Sequence, residues 1–251
     1  MILKGTDVSR YQGVVDWEKA KASGIKFAML KTVSTNSSFG GLYIDHYFER
    51  NYSECKRLGI PVGVYYYTYA QDKTYADKEL ALLKTALNGK SFEFPISIDV
   101  EDNSLKPITK SGLTNLVEYA ANTIQSWGAY VSIYTYYYYS TIELDMQRLA
   151  KYDLWIACYT ETNLYKGAHG MWQYTSKGRV SGITGNVDLN YAYKDYATII
   201  KNANLNDFTD KQPEVKPVIT RFSVEVSNGD LAKFNALALE CQVTPTLEEI
   251  K

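Results

Sequence analysis

Two acids separated by one residue, Asp99 and Glu101, close the apolar run Pro95-Ile96-Ser97-Ile98. In an extended chain residues i and i+2 share a face, so both carboxyl groups point the same way with their Cα atoms roughly 7 Å apart. That spacing suits a pair flanking a glycosidic bond, where one carboxyl group protonates the leaving oxygen. Two more acids stand at the ends of β-type runs: Asp7 in Gly5-Thr6-Asp7-Val8-Ser9 and Asp188 in Asn186-Val187-Asp188-Leu189-Asn190. Each of these, taken singly, has a backbone explanation, because Asp favours caps and turns at strand ends. That explanation is weaker for the pair, because a hydrophobic strand rarely places two charges on one face without use. Four carboxyl groups crowded together would repel one another, and aromatic neighbours would desolvate them. At least one pKa should then rise above the reference of about 4.3 for Glu.

Gathering these acids requires strands that end at one mouth. The chain repeats a short β-branched or aromatic run, a polar turn and a helical stretch, which predicts a parallel sheet. Strands are expected at 2–8, 27–33, 62–69, 95–101, 130–135, 154–159, 170–174 and 186–189, with helices at 17–23, 45–58, 74–87, 111–127 and 141–149. The helical period is clearest at Leu113, Leu116, Val117, Ala120, Ala121, Ile124 and Trp127, with Gly128 following as a C-terminal stop. A last helix over 191–203 would seal the unit. The expected fold class is α/β: a (β/α) barrel of eight strands and about five helices, whose active sites lie at the C-terminal ends of the strands. The barrel is expected over 1–206. Residues 207–217, with two prolines and many charges, read as a linker, and 218–251 as a small C-terminal α+β module. Some 34 residues make too small a core, so this module should lean on the barrel or pair with a second copy.

The bulk composition narrows the partners. Apolar residues make up 45% and charged residues 22%, with a net charge of −1 and no basic run, so nucleic acid is not an expected partner. The 23 tyrosines offer apolar planes with hydroxyls, a surface suited to sugars or to interfaces. Cys55, Cys158 and Cys241 are odd in number and far apart, which argues against a disulfide framework. No signal peptide or 18-residue apolar segment is found, so membrane insertion is not expected. The two histidines, His46 and His169, stand in no ligand-spaced motif. No metal or cofactor is expected, although an all-oxygen Mg²⁺ site is compatible with acids alone.

Gly5-Thr6-Asp7-Val8-Ser9 with Gln12-Gly13 and Val15-Asp16-Trp17 is followed by Ile98-Asp99-Val100-Glu101 and Leu154-Trp155-Ile156-Ala157-Cys158-Tyr159. Trp172-Gln173-Tyr174 and Val187-Asp188-Leu189-Asn190 complete the series. In this order the motifs make residues 1–200 resemble glycoside hydrolase family 25, the Chalaropsis-type lysozymes. The resemblance implies a flattened barrel and cleavage of the β-1,4 bond between N-acetylmuramic acid and N-acetylglucosamine in bacterial peptidoglycan. It implies Glu101 as general acid and Asp99 as the residue that orients or electrostatically supports the substrate, with Asp7 and Asp188 lining the cleft. Tyr65, Tyr67, Tyr134 and Trp155 correspond to aromatics that contact sugar rings or the acetamido group, and barrel filling suits them equally. Lys31 and Gln173 are candidates for the pocket lining or for a structural role. The nucleophile is either an enzyme carboxylate or, as favoured here, the substrate's own acetamido oxygen.

The chain departs from the family after Lys31, at Thr32–Ser38, and at Tyr65-Tyr66-Tyr67-Thr68-Tyr69, where relatives often carry a histidine. Both departures bear on pocket detail and specificity. The expected setting is that of a phage endolysin, made in the host cytoplasm and released to the wall through a holin-type pore. Its C-terminal module would bind the wall or associate with itself. Two other classes compatible with clustered acids are a metal-dependent hydrolase and a wall-binding protein without catalysis.

Overall fold

The computed structural model describes residues 2–36, 41–209 and Asp230. Ten strands form among them: β1 (Leu3–Val8), β2 (Phe27–Lys31), β3 (Val33–Asn36), β4 (Gly41–Ile44), β5 (Val62–Tyr67), β6 (Ile96–Asp99), β7 (Val131–Tyr136), β8 (Asp153–Ala157), β9 (Met171–Gly178) and β10 (Val187–Ala192). Eight close into a barrel in the order β1-β10-β9-β8-β7-β6-β5-β2, while β3 and β4 pair as a separate antiparallel hairpin. The α-helices are α1 (Trp17–Ala22), α2 (Phe48–Arg57), α3 (Lys73–Leu87), α4 (Lys110–Ser126), α5 (Tyr137–Ile142), α6 (Met146–Leu149) and α7 (Tyr196–Asn202). None is long and apolar enough to cross a membrane.

Strand alternation divides the apolar residues into two layers. Ala28, Leu30, Val64, Tyr66, Ile96, Ile98, Ile133 and Ile156 join the helices in the larger core, to which α4 contributes Leu113, Val117, Ala120, Ala121 and Ile124. Their alternates Met29, Tyr65, Tyr134, Trp155 and Met171 fill the barrel. One end of the barrel is plugged by Phe27 and Phe94, stacked with centroids 4.3 Å apart, and by Tyr196 of α7 against Phe94. Gly5 admits this plug, since a Cβ there would stand 2.4 Å from the Phe27 ring. Helix starts are fixed by side chains: Asp16, Asp72, Thr109, Asp145 and Asp195 each accept a hydrogen bond from an amide of the first turn.

All eight expected barrel strands form, but the sheet is mixed rather than wholly parallel. β10 runs antiparallel to both β9 and β1. The link 179–186 is too short for the crossover of a dozen or more residues that a parallel partner needs. The helix expected at 141–149 is two short helices, because Asp145 turns its carboxylate onto the amides of Gln147 and Arg148 and starts α6 afresh. The helix expected at 191–203 begins only at Tyr196, Tyr191 and Ala192 being the end of β10. Residues 207–209, at the head of the segment read as a linker, are held to the barrel: Asp207 bridges Ser91, and the Phe208 carbonyl accepts from the Gly89 amide at 2.8 Å. The rest of the linker and, apart from Asp230, the module expected at 218–251 lie outside the described residues. Cys55 and Cys158 are buried and free, whereas Cys241 is not among the described positions.

Candidate active site

The open end of the barrel holds a cleft of about 250 Å³. Asp7, Tyr65, Tyr67, Asp99, Glu101, Tyr134, Trp155, Gln173 and Asp188, the nine positions singled out from sequence, all line it, together with Lys31. Strand register explains the convergence. Tyr67, Asp99, Tyr134 and Trp155 are lateral partners across β5, β6, β7 and β8, so their side chains form one row on the inner face. Because β10 is reversed, its start lies at the same mouth as the end of β1, and Asp188 pairs in register with Asp7.

Asp99 ends β6, its carbonyl accepting from the Thr68 amide at 3.0 Å. Its carboxyl group is buried, and Oδ1 accepts no hydrogen bond from any described residue. Burial first, then the Glu101 charge, holds this acid well above the ordinary carboxylate range, against the pull of Lys31. Glu101, two residues on, is half-buried. Its neighbours are clamped on both sides: the Val100 amide donates to the Tyr134 carbonyl at 2.9 Å, and the Val100 carbonyl accepts from Thr135 Oγ1 at 2.7 Å. Asp102 accepts from Tyr67 Oη at 3.0 Å and from the Ser104 amide at 2.8 Å. Burial, reinforced by Asp188 and Asp102 and opposed by Lys31, pushes Glu101 up to about 7.

Asp7 is approached by a directional chain of donors. Gln173 Nε2 and Asn190 Nδ2 donate to its Oδ2 at 2.9 and 2.7 Å. Trp155 Nε1 orients the Asn190 amide by donating to Oδ1 at 2.8 Å, and the hydroxyls of Tyr134 and Tyr159 donate to Gln173 Oε1 at 2.9 and 2.6 Å. Burial and the Asp188 carboxylate nevertheless raise Asp7 well above its usual value, and burial lifts Asp188 to about 6. Lys31 lies 4.6 Å from the Tyr67 ring centroid, and burial lowers its pKa although Asp99, Asp45 and Glu101 favour its charge. Four acids facing one largely buried cation cannot all ionise near neutrality, so the cleft stores protons. Trp155, Tyr134 and Tyr65 are mostly buried and form a floor, packed edge to face with centroids 4.5 and 5.9 Å apart. Among the described residues no three His, Cys, Asp or Glu side chains form a metal-holding group.

Four further lining residues, Ser9, Tyr11, Gln12 and Tyr159, were not singled out as site residues. Tyr159 follows β8 at the functional end of a barrel strand, and Asn190 stands two residues from Asp188; position and the i, i+2 rule were the available signals. Glu79, on the buried face of α3, also escaped notice. It accepts from Thr68 Oγ1 at 2.6 Å and from the Tyr69 amide at 2.8 Å, bracing the turn whose Thr68 amide holds Asp99.

A mixed barrel that collects four carboxyl groups at one mouth, over an aromatic floor and with a glutamate that keeps its proton near pH 7, defines a site of the glycoside hydrolase class. The chain matches the glycosyl hydrolases family 25 over residues 6–183 and belongs to that family. It is 30% identical over 194 residues to the autolytic lysozyme of Clostridium acetobutylicum, a match covering 74% of this chain and 55% of that protein. This chain thus spans little more than half the length of that relative. The modular autolysin LytC from Streptococcus pneumoniae, solved with a synthetic peptidoglycan ligand, aligns with a TM-score of 0.68 and 26% identity over 76% of this chain and 47% of its own. The CTP1L endolysin shares the fold, with a TM-score of 0.67 and 23% identity over 80% of this chain and 70% of that one.

Proposed function

We propose that this chain is an N-acetylmuramidase, cutting the β-1,4 bond between N-acetylmuramic acid and N-acetylglucosamine in bacterial peptidoglycan. The observation that carries this reading is Glu101, poised at about 7 beside the buried Asp99. Protonated Glu101 donates to the glycosidic oxygen as the bond to the anomeric carbon breaks. The acetamido oxygen of the same sugar attacks that carbon and closes a five-membered ring, while the unpartnered Asp99 Oδ1 accepts the acetamido N–H and orients it for attack. Ionised Glu101 then takes a proton from the water that opens the ring, which restores both groups. The test is release of reducing ends from purified peptidoglycan, with mass analysis of the fragments. Wild type should yield reducing N-acetylmuramic acid, and Glu101→Gln should lower the rate by about 10²–10⁴. New amino termini in place of reducing ends would overturn the assignment.

The proposed setting is host lysis in the manner of a phage endolysin, supplied from the cytoplasm through a membrane pore. The fold likeness to an endolysin supports it, and lysis only on co-expression with a pore-forming protein tests it. Residues 218–251 would attach the enzyme to the wall or to a second copy. Deleting residues 210–251 should reduce wall binding or change sedimentation.

A further inference from the structure

Tyr11 is 74% exposed, the highest value among the large apolar and aromatic side chains described, yet it lines the same cleft as the acids. A ring so exposed usually samples several rotamers; this one is held. Ser9 Oγ accepts from the Tyr11 amide at 3.3 Å, Gln12 Oε1 accepts from the Ser9 amide at 2.9 Å, and Gly13 at φ +63° turns the chain away. The Arg10 guanidinium lies over the Tyr11 ring, 4.5 Å from its centroid, and Nη2 donates to the Tyr11 hydroxyl at 3.1 Å. Arg10 is anchored in turn, with Nε donating to Tyr43 Oη at 3.1 Å and its amide donating to Asp45 Oδ2 at 2.8 Å. The ring is thus backed by a cation while most of its surface stays exposed.

A flat, pre-oriented ring at the rim of a polar cleft fits the C–H face of a pyranose, whose hydroxyls stay hydrated. Its place on the barrel says which pyranose. The acid pair follows β6 and Tyr11 follows β1, three strands away through β5 and β2. At about 4.8 Å per strand this is about 14 Å along the wall. Tyr11 therefore stands at the rim of the cleft, three strands round the wall from the acid pair.

We propose that Tyr11 is a distal sugar platform, stacking on a ring of the glycan strand beyond the pair joined by the scissile bond and favouring long strands over short fragments. This inference rests on the glycan substrate proposed above. The test measures binding by calorimetry in a Glu101→Gln background, using the disaccharide of N-acetylmuramic acid and N-acetylglucosamine and octasaccharides in which the two sugars alternate. Adding Tyr11→Ala should weaken octasaccharide binding about three- to tenfold and leave the disaccharide unchanged. Tyr11→Phe, which keeps the ring, should retain most of the affinity. Thermal melts check the fold, and Tyr11→Ser serves as the second variant if alanine melts early. Equal losses at both lengths, no loss with the octasaccharide, or no oligosaccharide binding at all would overturn the platform. The muramidase assignment is judged separately, by the reducing ends that wild type releases.

Discussion

Replacing Glu79 with glutamine should make the protein gain stability relative to wild type as the pH rises. Glu79 has no exposed surface and accepts two hydrogen bonds, but burial outweighs both and moves its carboxyl group from 4.5 up to about 7. An acid whose folded pKa lies above its unfolded one binds its proton more tightly in the native state. The stability that Glu79 contributes is therefore fully present at low pH and is lost as pH climbs from about 4.5 to about 7. At about 1.36 kcal/mol per pKa unit the full loss is about 3.4 kcal/mol, of which about 2.5 kcal/mol falls between pH 5 and pH 8.5. Glu79→Gln abolishes this titration. It also changes the contacts to Thr68 and Tyr69, at a cost independent of pH, so comparing the two proteins at both pH values cancels that cost together with the titration of the cleft acids. Urea unfolding followed by tryptophan fluorescence gives the four stabilities. The variant should improve relative to wild type by about 2.5 kcal/mol from pH 5 to pH 8.5. The same difference at both pH values would show that Glu79 ionises normally and that burial does not dominate.

Lys31→Met should move the alkaline limb of the rate profile upward by about one pH unit, because the cation that favours ionisation of Glu101 and Asp99 is gone. A kcat/KM profile shifted downward or unmoved would contradict the assignment of a protonated Glu101. Gly182→Ala should destabilise the barrel by about 1–3 kcal/mol, seen as a lower melting temperature. Gly182 sits at φ +90°, and a Cβ there would lie 2.3 Å from the Asp16 carbonyl oxygen.

What could be read from the chain follows from how local each signal is. Period-two alternation is written in neighbouring residues, so the barrel strands and the common face of Asp99 and Glu101 were legible. The reversal of β10 was legible in principle, since the short 179–186 link excludes a crossover, but the repeated strand–helix pattern masked it. The β3–β4 hairpin escaped because Val33-Ser34-Thr35-Asn36 is mostly polar and follows β2 after a single residue, Thr32. Asp145 inside an apparent helix was a cap signal, as its contacts with Gln147 and Arg148 show. The donor chain onto Asp7 was beyond reach, because Gln173 and Asn190 lie 166 and 183 positions away and meet it only through closure of the barrel.

That closure has a consequence for biosynthesis. β1 can pair with β2 early, but its other edge must wait for β10, and contacts so distant in sequence form late and slowly. A nascent chain stopped short of β10 lacks Asp188 and Asn190, leaving Asp7 without one of its two donors and the mouth without one of its acids. Interrupted translation should therefore yield inert fragments rather than a partly active enzyme inside the cell that makes it.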